Sequence, residues 1–110
     1  RQDQLRQLAR IVRTVDRALI LAGDFNAFWG EAELELFLQA TGLRSANRER
    51  LPTYPSVSPR IQLDFVFHSE EVEIHGLAVP RVRYSDHLPL LCDFSVRRPQ
   101  AASPPPDVRR

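Results

Sequence analysis

Ala18-Leu19-Ile20-Leu21-Ala22-Gly23-Asp24-Phe25-Asn26 is the stretch whose reading decides the fold. The apolar run Ala18–Ala22 is too short and too uniformly apolar for an amphipathic helix, and it fits a buried central strand. Gly23 then permits a sharp turn or a close backbone approach. Asp24 and Asn26 follow two positions apart, so on extended chain both face one point at the strand's end. Loops after strand ends are where α/β proteins usually place their chemistry.

Upstream, residues 2–16 read as an amphipathic helix. Leu5, Leu8, Val12 and Val15 recur at helical spacing with Ile11 beside them, and Arg6, Arg10, Arg13 and Arg17 take the polar side. Those arginines are interspersed with Asp3, Asp16 and glutamines, which favours a solvated helix face over a nucleic-acid or membrane surface. A helix followed directly by a buried strand indicates an αβ unit.

Downstream, Ala27-Phe28-Trp29-Gly30 forms a loop with two aromatics. Glu31–Thr41 reads as a second helix, with Leu34, Phe37 and Leu38 on one face and Gly42 as its terminator. Pro52, Pro55 and Pro59 make 43–59 mostly loop. Ile61–His68 is a strand in which Ile61, Leu63, Phe65 and Phe67 alternate with Gln62, Asp64, Val66 and His68. Val72–Val79 is a further strand, and His87–Val96 contains the last one, with Pro89 near its entry. From Arg97 the chain turns Pro-rich with nothing to bury, so 97–110 reads as a disordered tail behind a domain that ends near residue 96.

Composition sets the frame. With 110 residues, 43% hydrophobic and 26% charged, the chain suits one small globular domain. The net charge of +1 shows no wide basic field and gives slight weight against strong DNA affinity. A single cysteine, Cys92, rules out an internal disulfide and reads as a buried small hydrophobe. No stretch approaches the roughly 18 apolar residues of a membrane span. The chain has no methionine and starts in helix-like sequence, which reads as a piece of a longer or processed protein. A cytoplasmic location is the expectation.

Three places look chemical: Gly23-Asp24-Phe25-Asn26, Leu63-Asp64-Phe65-Val66-Phe67 and Ser85-Asp86-His87-Leu88-Pro89. Each sets a carboxylate in or at the end of an apolar strand, where it needs a partner, a hydrogen bond or a metal. Singly they have plain readings: an Asx turn at Asp24, a water-facing edge residue at Asp64, a backbone-bonded histidine at His87. His68 and His75 have only that plain reading. Glu31, Glu33 and Glu35 crowd a helix start with surface spacing. Trp29 reads either as a substrate-stacking aromatic or as a loop ring packed on the domain.

Together, the order and spacing of the three motifs resemble the endonuclease/exonuclease/phosphatase superfamily, which includes deoxyribonuclease I-like nucleases, abasic-site endonucleases, sphingomyelinases and inositol polyphosphate phosphatases. Thr53-Tyr54-Pro55 also looks like the family's segment ahead of the second motif. The resemblance covers residues 1–96 as the C-terminal part of that domain. It implies an α/β (α+β) fold, part of a four-layer two-sheet sandwich, and Mg²⁺-dependent hydrolysis of a phosphoester, most readily a phosphodiester, with Mn²⁺ as a substitute ion. By similarity Asp24 orients and deprotonates the attacking water, Asn26 hydrogen-bonds the phosphoryl oxygens, His87 binds phosphate or moves a proton, Asp64 holds the His87 ring, and Asp86 contributes to the metal. The family's glutamate ligand belongs to an N-terminal half this sequence lacks. That half is therefore an expected partner, and the piece alone is expected to be inactive. The substrate stays open among nucleic acid, phospholipid head group and sugar phosphate. The alternative is a non-catalytic binding module derived from the same family.

Overall fold

A computed structural model describes residues 2–26 and 29–98. Helix α1 (Gln2–Arg13) is followed by β1 (Ile20–Asp24), α2 (Glu31–Thr41), β2 (Arg44–Ser45), β3 (Asp64–His68), β4 (Val72–Ala78) and β5 (Leu91–Val96). The strands form two antiparallel sheets, one ordered β1-β3-β2 and the other pairing β4 with β5. The class is mixed α/β, as expected of part of a two-sheet sandwich.

α1 stops three residues short of the sequence expectation. Thr14 and Val15 donate to the carbonyls three residues back, and the Thr14 hydroxyl also bonds the Ile11 carbonyl, so the last turn tightens and ends. Its buried stripe is Leu5, Ala9 and Val12, whereas Ile11 is exposed. α2 spans the expected residues. Glu33 Oε1 accepts from the Gly30 N–H at its start, and Gly42 closes it at φ 75° with its N–H on the Leu38 carbonyl.

The two helices pack together over one face of the three-stranded sheet. The core there joins Leu5, Ala9 and Val12 of α1, Leu34 and Phe37 of α2, and Phe25, Leu43 and Phe67. Phe67 is fully buried, with the rings of Phe25, Phe37 and Phe65 at 5.1, 6.1 and 5.3 Å. At about 25 cal/mol per Å² and 150–250 Å² per aromatic ring, this cluster is the main apolar stabilisation.

Two strand expectations need correction. The expected central strand at Ala18–Ala22 is β1, shifted two residues on and lying at a sheet edge among the described residues; β3 is the central strand. Its residues are half-buried or exposed, because the helices cover only one of its faces. Gly23 makes no turn. It pairs with Phe65 inside the ladder, and a Cβ there would meet the Phe25 ring at 3.3 Å, so the glycine serves the close approach. β3 begins at Asp64, not Ile61, because Ile61 pairs with Tyr54 in an isolated bridge. β2, hidden in the expected loop, is two residues long, too short for a period to show. β4 carries a bulge between Ile74 and Gly76, and β5 starts at Leu91, after Pro89. Cys92 is half-buried rather than fully buried. Arg97, placed in the tail by composition, is bonded to the carbonyls of Glu70 and Glu71; residues 99–110 lie outside those described.

Candidate functional site

The β1–β3 register sets Asp24 directly opposite Asp64. Facing residues of an antiparallel pair share a face, and like charges there repel. The chain answers that repulsion with a third group. The loop before β5 brings His87 over the pair, with Nδ1 2.6 Å from Asp64 Oδ2 and Nε2 3.8 Å from Asp24 Oδ2. The shorter contact is a charge-assisted hydrogen bond in which Nδ1–H donates. The longer one is an electrostatic attraction that leaves Nε2–H free. The hydrogen bond to Asp64 raises the His87 pKa above the ordinary histidine range, and the charges of Asp64, Asp24 and Asp86 add to it against the opposing effect of burial.

Asp64 is held from its other side. Thr53, with no exposed surface, donates its hydroxyl to Asp64 Oδ2 at 2.8 Å and accepts from the N–H groups of Leu63 and Asp64 at 3.2 Å. One hydroxyl thereby uses its full bonding capacity. The His87 loop is stitched to the same segment: Leu88 N–H donates to the Thr53 carbonyl and Ser56 N–H to the Asp86 carbonyl, both at 2.7 Å. The Tyr54 ring lies 5.1 Å from the His87 ring. Together these contacts hold the bend that carries His87 over the carboxylate pair.

Asp86 is exposed, and one carboxylate oxygen accepts from the Ser85 hydroxyl at 3.2 Å. It is not in the one group of metal-competent side chains among the described residues, which is Asp24, Asp64 and His87, with ligand atoms within 4.8 Å of one another. Asn26 sits past the end of β1. Its backbone N–H donates to the Leu63 carbonyl, and its side-chain amide to the Gln62 carbonyl at 2.8 Å, which fixes the carboxamide's orientation and leaves one N–H over. It borders a cavity of about 970 Å³ that does not include the Asp24–Asp64–His87 group. Trp29 is half-buried against the helix-covered core, its ring 5.9 Å from Phe25, so its packing is that of a domain aromatic. Phe28 lies outside the described residues.

One atom bears directly on a cation. Asp24 Oδ1 is buried and has no hydrogen-bond partner among the described residues. A buried carboxylate oxygen with nothing donating to it suits a water or a hard cation. Asp64 Oδ2 is already engaged by Thr53 and His87, which leaves Asp24 Oδ1 as the buried oxygen of the group without a donor. One or two carboxylates with water is the set that Mg²⁺ accepts.

Thr53 and Tyr54 are the members of the site whose work the chain's pattern did not reveal; only their likeness to a family segment marked them. His68 and His75 are bonded elsewhere, His68 to the Ser69 carbonyl and His75 to the Ser95 hydroxyl. No described helix is long and apolar enough to cross a membrane. No curated protein and no solved structure matches the chain. The model of the Endonuclease/Exonuclease/phosphatase family matches residues 1–87.

Proposed function

The chain belongs to the endonuclease/exonuclease/phosphatase family, and from that premise we propose that it is the C-terminal part of a Mg²⁺-dependent phosphodiesterase domain. The observation that carries the reading is the 2.6 Å bond from His87 to Asp64 with the other ring nitrogen facing Asp24. It supplies a proton acceptor and a cationic donor on either side of one small space.

Asp24 Oδ1, buried and unpartnered, takes the proton of the attacking water as its oxygen bonds to phosphorus; the P–O bond to the leaving alkoxide breaks, and the alkoxide takes a proton from solvent. His87, kept protonated by Asp64, donates from Nε2 to a phosphoryl oxygen as negative charge builds there. Asn26 donates its remaining amide N–H to another. Asp64 does not touch the substrate; with Thr53 behind it, it fixes the ring and its charge. Asp86 would contribute to holding a Mg²⁺ ion, with Mn²⁺ able to substitute. When bound, the ion supplies Lewis-acid stabilisation of phosphoryl charge.

The test is hydrolysis of bis-p-nitrophenyl phosphate by the full-length protein with Mg²⁺ and with a chelator. Turnover should require the ion. His87→Ala and Asp24→Asn should each lose at least about a hundredfold in kcat, the ordinary worth of a positioned acid or base. Retained activity in both variants would sink the assignment.

A further inference from the structure

The segment from Pro80 to Asp86 leads straight into His87, and it is built unlike the other loops. Its far end is pinned by the Ser56–Asp86 and Leu88–Thr53 backbone bonds, and its start is turned by a Val82 N–H to Pro80 carbonyl bond of 3.0 Å. Burial alternates along it: Arg81 and Arg83 are exposed while Val82 is half-buried. Neither arginine has an ion pair among the described residues. Tyr84 follows with 93% of its surface in water, the most exposed large apolar side chain among those described, and it makes no ring contact or hydrogen bond there. A held backbone thus carries two guanidiniums without ion pairs among the described residues and a bare aromatic ring, three to six positions before His87.

We propose that this arm reads the substrate, and that the substrate is a polynucleotide with an unpaired base next to the cleaved phosphate. Tyr84 stacks on that base, while Arg81 and Arg83 bind the neighbouring backbone phosphates. The assignment rests on the phosphodiesterase reading of the adjoining site. Stacking on an aromatic ring needs a base whose face is free, so single strands and frayed ends fit and intact duplex does not. Arginine presents a planar fork that grips phosphate oxygens in pairs, and it stacks on rings where lysine does not. A sugar phosphate, even one with several phosphates for the arginines, would leave Tyr84 without a partner, since it has no base. A lipid surface would favour several apolar side chains at the tip, where this arm has one amphipathic ring between charged groups.

Fluorescence anisotropy of a labelled single-stranded oligonucleotide with the full-length protein tests this, in EDTA so that no turnover is needed. Tyr84→Ala should weaken binding roughly tenfold while Tyr84→Phe retains it. Replacing Arg81 and Arg83 by Gln should lower the salt slope by about 0.7 each. The catalytic assignment is read separately, by loss of bis-p-nitrophenyl phosphate hydrolysis in His87→Ala, so failure of the arm and failure of the catalytic assignment register in different assays. The proposal is overturned by oligonucleotide binding that is absent or insensitive to the arm. Equal or tighter binding of duplex overturns it, as does arm-dependent binding to phosphatidylserine vesicles in place of oligonucleotide. A Tyr84→Ala change that lowers Tm alone, as for a ring covered by another part of the protein, overturns it too.

Discussion

At the scale of single residues, the site is a charge problem with a built-in answer. Asp24 and Asp64 face each other across a strand pair, and the His87 ring sits between them. Because folding raises the His87 pKa, the folded state binds that proton more tightly than the unfolded chain does. The stabilisation is therefore fully present below the ordinary histidine pKa of about 6.5, and it is lost as pH rises through the elevated folded value. In metal-free buffer, the difference in urea midpoint between the parent and His87→Gln should be largest in mild acid and shrink as pH rises. A difference that is flat or grows with pH would contradict the assignment. Thr53 makes the arrangement rigid, since its one hydroxyl holds a carboxylate and two amides together. Sequence showed the carboxylates and the histidine because charge in an apolar strand is conspicuous. It did not show Thr53, because a threonine in a proline-rich loop has no pattern until the loop folds back on β3.

At the scale of elements, legibility followed local physics. α2 was readable to the residue because its acidic start, apolar face and terminal glycine are all local signals. Gly42 shows which effect governs such a position. A Cβ there would meet nothing within 4 Å, yet φ is 75°. Space is free but the backbone is not, so Gly42→Ala should destabilise by about 1 kcal/mol through left-handed strain alone, measured by denaturant unfolding. An unchanged midpoint would mean that the helix end relaxes. β1 was the harder case. Its apolar run says strand but carries no word about neighbours, and edge or centre is decided by pairing partners far away in sequence. The loop Asn47–Leu51 makes the same point: buried Asn47 bonds both the N–H and the carbonyl of Leu51, and Arg50 sits at φ 58° to let it.

At the scale of the whole molecule, the apolar interior lies on one side. Phe67, under the helices, is wholly buried, while Phe94 on β5 is 44% exposed and Leu91 and Val96 are more so. The same deletion should then read very differently in the two sheets. Phe67→Ala should cost about 3–5 kcal/mol, and Phe94→Ala should stay within about 1 kcal/mol, both by urea unfolding. Similar losses would show that the β4–β5 sheet is as deeply packed as the first. The family's two-sheet architecture was legible as a class from three motifs in order. The uneven covering was not, since period-two alternation marks a face as apolar without saying what lies on it.

The pairing of Asp24 with Asp64 has a consequence for how such a chain can change over generations. The ladder register and the spacing of the two carboxylates are a single variable, because successive residues of a strand point to opposite faces. An inserted residue within β1 or β3 would send one carboxylate to the far side of the sheet even with every amino acid of the site retained. The thirty-nine positions between the two aspartates, most of them in α2 and loops, carry no such penalty. Length variation should therefore be inherited freely between these strands and be purged within them.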